Sequence, residues 1–199
     1  EASLTQSLES LTQALLDAAK KAGADAADSI AVRGTSQTID VRGGNLEQAE
    51  RSEGVDIGLR VFVGQRQANV SSSDVKADTL AIMAERAVTM AREAPEDEFI
   101  GLADPSDLAT DWDIDAFELC DPSDEPEPGV LERDARTAES AALENAGVSQ
   151  VQSASAAYGN RAVHIAASNG FSGGYSRTDR SLYCVAIAGT GAQMERDYD

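Results

Sequence analysis

Leu4, Leu8, Leu11, Leu15 and Ala19 recur at three- and four-residue intervals with polar residues between them, the spacing of one apolar helix face. This predicts a first helix that stops at Ala22-Gly23, where glycine supplies a left-handed cap. Beyond it the period changes to two. Strands are expected at Ser29–Arg33, Gln37–Val41, Leu46–Arg51, Val55–Val63 and Arg66–Ser71, with turns at Gly34, Gly43-Gly44-Asn45 and Gly64-Gln65. The alternation Val55, Ile57, Leu59, Val61, Val63 requires a strand with one buried face. Ser73 or Asp74 is then placed to cap a second helix over residues 75–93, whose stripe is Leu80, Met83, Ala84, Ala87, Val88 and Ala91.

The helical period returns at Leu131, Ala135, Ala138 and Ala142, predicting a third helix over 130–146 that again ends in Ala-Gly. Strands follow at Val148–Tyr158, Arg161–Ser168 and Gly174–Ala188, with turns at Gly159-Asn160 and Ser168-Asn169-Gly170. Both halves thus run helix, Ala-Gly, strand, turn, strand, turn, long strand. The long strands read Gly58-Leu-Arg-Val-Phe-Val-Gly64 and Tyr183-Cys-Val-Ala-Ile-Ala-Gly189, at nearly equal distances from the Ala-Gly before them. The expected fold is α+β: two helix-plus-antiparallel or mixed-sheet halves of similar pattern. The division is 1–95, an acidic Pro-containing connector at 96–129, and 130–199 as a second half that continues beyond the chain. Trp112, Ile114, Phe117 and Leu119 are the side chains able to pin the connector down.

Charge narrows the function classes. Asp and Glu number 35 against 16 Lys and Arg, for a net −19. Between Glu93 and Glu132 there is no basic residue at all. Phosphate backbones are held by basic faces that release counterions, so direct nucleic-acid binding is disfavoured. An anionic membrane surface is disfavoured for the same reason. No stretch approaches the ~20 apolar residues of a membrane span, and no secretory signal pattern opens the chain. A cytoplasmic protein is expected. Cys120 and Cys184 form no CxxC and read as reduced, buried small hydrophobes.

Candidate chemistry is sparse. His164 is the single histidine and has no metal-ligand motif around it. Asp111-Trp-Asp-Ile-Asp115 opens like a calcium loop but has Ala116 and Pro122 where glycine and glutamate are needed. Ser71-Ser-Ser-Asp74 lacks the base that a nucleophile requires and reads as a strand end before a helix cap. Gly189-Thr-Gly191 lacks the rest of a dinucleotide fingerprint. No catalytic, cofactor-binding or metal-ligating residue is therefore assigned in this chain.

Several runs taken in order carry a resemblance. They are Gly44-Asn-Leu-Glu-Gln-Ala-Glu-Arg51, Gly58-Leu-Arg-Val-Phe-Val-Gly-Gln-Arg-Gln-Ala68, Ser71-Ser-Ser-Asp74, Ala91-Arg-Glu-Ala-Pro-Glu-Asp97, Gly101-Leu-Ala-Asp-Pro105, Ser168-Asn-Gly-Phe-Ser-Gly173 and Met194-Glu-Arg-Asp-Tyr-Asp199. Together they resemble the N-terminal part of the TldD/PmbA family, in its PmbA (TldE) branch, historically called a modulator of DNA gyrase. The resemblance implies a protein of about twice this length, the non-catalytic subunit of a heterodimeric zinc metalloprotease acting on small or unfolded peptides. Zinc is then expected in the HExxxH helix of a TldD-like partner, with none in this chain. Any gyrase effect is expected to be indirect, through proteolysis. A stand-alone peptide- or protein-binding adaptor without proteolytic role is the alternative, and homodimerisation of the chain stays open.

Overall fold

A computed structural model describes residues 7–111 and 113–198. The fold is α+β. Helices α1 (Leu8–Ala22), α2 (Ala77–Glu93) and α3 (Pro128–Leu143) accompany strands β1 (Ala26–Arg42), β2 (Asn45–Val63), β3 (Arg66–Ser72), β4 (Val148–Ala167), β5 (Ser172–Ala188) and β6 (Glu195–Tyr198). The strands form one sheet in the order β3-β2-β1-β4-β5-β6, with β2–β3 and β5–β6 antiparallel.

The helix predictions hold in their interiors and shift at their ends. On α1, Leu11, Leu15 and Ala19 are buried, and Gly23 caps the helix in the left-handed region; Leu4 lies outside the described residues. The start of α1 is Ser7, whose hydroxyl accepts from Ser10 N at 3.1 Å. Neither Ser73 nor Asp74 caps α2; Lys76 holds that position without a side-chain bond. Asp74 is occupied just before it, accepting from Lys76 N at 3.1 Å and from Thr79 Oγ1 at 2.8 Å. These two bonds hold its carboxyl below the usual carboxylate range. α3 opens on Pro128, which has no N–H to satisfy there. It closes short of Ala146-Gly147, where Asn145 donates to Ala141 O.

Three predicted interruptions are absent. β1 runs through Gly34, β2 through Gly54, and β4 through Gly159-Asn160. None of these glycines has positive φ, so each is extended backbone. Gly159 serves packing instead of turning: a Cβ there would meet Asp179 Oδ2 at 3.0 Å. The turns at Gly43-Gly44 and Gly64 stand as predicted, with positive φ at all three.

The chain folds into two compact units that are not consecutive stretches. One comprises residues up to Gly34, Gly54–Leu119 and Arg161–Ser176. Its core packs α1 and α2 on the sheet, with Leu11, Leu15, Leu59, Val61, Ala84 and Val88 all essentially buried. The other comprises Thr35–Glu53, Cys120–Asn160 and Arg177 onward. There α3 packs Leu131 and Ala135 against Ile39, Val41, Ala156 and Tyr158.

Among the described residues, the predicted connector 96–129 holds short helical turns at Pro105–Asp107 and Asp115–Phe117 and runs into the first residues of α3. Polar contacts hold the segment. In the first unit Asp97 N bonds Gln65 O, and Ala103 O accepts from Asn169. In the second Asp121 N bonds Thr178 Oγ1 at 2.8 Å, and Glu125 meets Gln37 and Arg51. Of the expected apolar anchors, Phe117 is exposed, Ile114 and Leu119 are half-buried, and Trp112 lies outside the described residues.

Candidate functional site

His164, partnerless by sequence motif, sits between two hydroxyls. Thr12 Oγ1 lies 2.9 Å from Nδ1 and Ser172 Oγ lies 3.4 Å from Nε2. The single proton of Thr12 is donated to Glu9 O at 2.9 Å. Thr12 then accepts from Nδ1–H, and Nε2 faces Ser172. Among the described residues the ring is bonded by hydroxyls and by no carboxylate, and Thr12 is fully buried. The chain of bonds ties α1 to β4 and β5 as a polar staple.

The other sequence candidates resolve into local structure. Asp113 accepts from Ala116 N at 3.2 Å, a local bond beside the short turn at Asp115–Phe117. Among the described residues no group of three or more His, Cys, Asp or Glu is arranged to hold a metal. Ser71–Asp74 ends β3, with Ser73 donating to Asp56 and Ser72 accepting from Asp74 N. Gly189 and Gly191 form the β5–β6 connection; a Cβ at Gly189 would lie 2.4 Å from Gln193 O. The cysteines are free, but Cys120 is exposed, not buried as expected, and Cys184 is half-buried. Burial, followed by the charge of Glu139, raises the Cys184 thiol above its ordinary value.

Sequence reasoning missed Glu139. It lies on α3 at 3% exposure, and its carboxylate accepts from Gly43 N at 2.6 Å and Gly44 N at 2.8 Å. Both glycines have positive φ, so the β1–β2 turn presents two N–H groups to one anion. Its only sequence signal is an acid on the helix face that continues Leu131 and Ala135. Asp28 with Arg60 is a second unforeseen pair, and the Arg60 guanidinium also lies 5.1 Å from the Phe62 ring centre.

What remains open is backbone. β3 covers β2 only over Ile57–Val63, and β6 covers β5 only over Val185–Ala188. Among the described residues the rest of each outer edge has no strand beside it. Such edges invite pairing unless charge protects them. In the second unit, the β2 edge carries Glu47, Glu50 and Glu53 and is protected in this way. The β5 edge from Arg177 to Cys184 is different, with Asp179 the one acid among Arg177, Arg180, Leu182 and Tyr183. Leu182 is 53% exposed and Tyr183 43%. Arg180 pairs with Asp134 of α3. Eight strand residues span roughly 27 Å and present about four outward N–H and four C=O groups. Among the described residues this is the stretch of β5 without a second strand partner.

Comparison with known proteins agrees with the resemblance in the sequence. Residues 27–91 match the family model of PmbA/TldA metallopeptidase domain 1, and residues 112–199 match that of the PmbA/TldA metallopeptidase central domain. A metalloprotease PmbA homolog of Haemophilus influenzae is 27% identical over 98% of this chain and 42% of its own length. Metalloprotease PmbA of Escherichia coli O157:H7 is 29% identical over 96% of this chain and 41% of its own length. The chain thus spans about two-fifths of these relatives. Among solved structures, a protein of Bacteroides thetaiotaomicron assigned as a modulator of DNA gyrase superposes with TM-score 0.78 at 21% identity, covering 94% of this chain and 43% of that one. TldE from Thermococcus kodakarensis superposes with TM-score 0.73 at 16% identity, covering 95% and 42%. Two domain models matched in order across the chain, with this fold beneath them, place the chain in the TldD/PmbA family, over its N-terminal and central domains.

Proposed function

We propose that this chain is the N-terminal part of a PmbA/TldE-like, non-catalytic subunit of a cytoplasmic heterodimeric zinc metalloprotease that degrades or processes small or unfolded peptides. The observation that carries the reading is the ordered match of both domains to relatives named metalloprotease PmbA. The runs Arg60-Val-Phe-Val-Gly-Gln-Arg-Gln-Ala68 and Met194-Glu-Arg-Asp-Tyr-Asp199 favour the PmbA/TldE branch, so the zinc is assigned to a TldD-like partner. The role of this chain is then to receive substrate. An unfolded peptide would add to the β5 edge as a further strand, its main chain giving affinity and its alternate side chains specificity. The net −19 keeps nucleic acid away, so a link to DNA gyrase runs through proteolysis and not through contact with DNA. We further propose that the similar halves descend from one duplicated unit, dividing the sequence at the 96–129 connector in ancestry even though the compact units interleave.

The deciding assay is hydrolysis of unstructured peptides by the full-length protein, by a TldD-like partner, and by the mixture, each with and without chelator. Chelator-sensitive turnover in the mixture alone is expected. Binding without turnover under every condition would instead establish the adaptor reading. Proline placed singly from Thr178 to Leu182 tests the edge. Those variants that stay folded because their N–H pointed outward should lose peptide turnover, and unchanged turnover in all of them removes strand addition at β5.

A further inference from the structure

The face of the second unit next to α3 carries an open groove of ≈ 610 Å³. Its helical wall is Ala138, Ala141 and Ala142, spaced i, i+3, i+4 along one ridge of α3, with Asn145 just beyond the helix end. Its floor is Leu182, Cys184 and Ala186, alternate residues of β5. Asp197 and Tyr198 of β6 line it as well. A small-molecule pocket needs several polar groups converging on its ligand. Here the Asn145 amide is already donated to Ala141 O and Ala142 O, which leaves Asp197 as the charged group. The shape is that of a helix seat, since small residues on a ridge allow an approach near the short end of the ~8–10 Å interaxial range.

The first unit shows the same kind of seat filled. There α2 follows the β2–β3 hairpin, lies on both α1 and β3, and buries Leu80, Met83, Ala84, Ala87, Val88 and Ala91. In the second unit the β5–β6 hairpin is in place and α3 takes the part of α1, but among the described residues no second helix lies beside it. Relatives match this chain over only 42% and 41% of their own length, so a polypeptide of that length has more than half its residues outside this chain. We propose that an amphipathic helix of the same polypeptide, following β6 in sequence, seats in this groove beside α3 as α2 seats beside α1. Its buried stripe is aliphatic with small residues against Ala138, Ala141 and Ala142, and a Lys or Arg on its rim meets Asp197. The inference is independent of the catalytic reading, since a helix in the groove is required equally by a protease subunit and an adaptor.

Cys184 is a reporter placed in the floor, and exposed Cys120 is its internal reference. In the polypeptide of the relatives' full length, maleimide should modify Cys184 at least tenfold more slowly than Cys120. Ala142→Arg, which fills the wall, should expel the helix and raise Cys184 reactivity at least tenfold while leaving Cys120 unchanged. A cysteine introduced as Asn145→Cys in a Cys184→Ser background should be protected in the same way, which guards against misfolding of the arginine variant. Equal reactivity of Cys184 and Cys120 overturns the proposal. So does protection that survives Ala142→Arg, that grows with protein concentration as a second copy would require, or that appears only when a TldD-like subunit is added.

Discussion

Replacing Glu139 with alanine removes the anion that holds the β1–β2 turn to α3. Two charge-assisted hydrogen bonds are lost, from Gly43 N and Gly44 N. Bonds to a charged group contribute about 1.5–3 kcal/mol each. Two terms reduce the sum. The glycines are exposed, so their freed N–H groups regain water. The deleted carboxylate is almost wholly buried, so its desolvation cost is recovered. A net loss of about 2–3 kcal/mol remains, which for a domain of this size lowers Tm by roughly 4–12 °C. Glu139→Gln keeps one acceptor oxygen and should lose about half as much. Glu144→Ala, on an exposed residue at the end of α3, is the control and should stay within about 0.5 kcal/mol. The assay is urea unfolding followed by circular dichroism, read as a change in midpoint at constant slope. If Glu139→Ala falls within the range of Glu144→Ala, the turn is held by its own geometry and the clamp is incidental.

Other positions give sharper contrasts. Gly44→Ala and Gly54→Ala both add a Cβ into open space, but Gly44 has φ +72° and Gly54 is extended. The first should cost about 1–2 kcal/mol from backbone conformation alone and the second should be neutral or slightly stabilising, by the same urea assay. Gly174→Ala should cost more than either, because its Cβ would lie 2.3 Å from Val163 O, a backbone atom that cannot rotate away. Tyr158 is pushed above the ordinary phenol range first by burial and then by the charge of Glu125. Both folded and unfolded phenols are protonated below pH 10. Above it the unfolded state loses its proton first, so stability falls as pH rises from 10 toward the folded value. Tyr158→Phe should flatten the urea midpoint over that alkaline window, and an unchanged slope there would place the linkage elsewhere. Thr12→Val strands the Nδ1–H of His164 and should cost about 1–3 kcal/mol, measured by thermal unfolding.

The elements were readable where one local signal decides them. Helical spacing placed α1, α2 and α3, and the double glycine at 43–44 placed its turn, because positive φ at both positions has few other solutions. Glycine misled where the deciding contact was remote. Gly34 and Gly159 look like turn residues in sequence, yet both lie inside unbroken strands, and a Cβ at Gly159 would meet Asp179 Oδ2 of the neighbouring strand at 3.0 Å. The unbroken strands are why the compact units interleave. β1 is long enough to lie under α1 near Ala27 and Ala31 and under α3 near Ile39 and Val41, so each unit takes one part of it.

The polar contacts were hidden for a related reason. A glutamate within an amphipathic helix is ordinarily a solvated charge, and Glu139 departs from that rule only because a turn far away in sequence offers it two donors. His164 offered no motif because its partners are hydroxyls on α1 and β5, which no metal or protease spacing would select. The open β5 edge lies one level further from the sequence. Exposure of a strand edge depends on the order of all six strands and on how far each neighbour extends. It follows only from the strand order, in which β5 lies beside β4 on one side and β6 on the other, with Val185↔Tyr198 the last described pair. The two edges differ in the sign of their charge: Glu47, Glu50 and Glu53 outnumber Arg51 on β2 and repel an acidic strand, while Arg177 and Arg180 outnumber Asp179 on β5 and attract one. Exchanging these characters tests that account. Arg177→Glu with Ser181→Glu on β5 should abolish peptide binding without loss of fold, whereas Glu47→Gln with Glu50→Gln should create self-association through β2, visible by sedimentation.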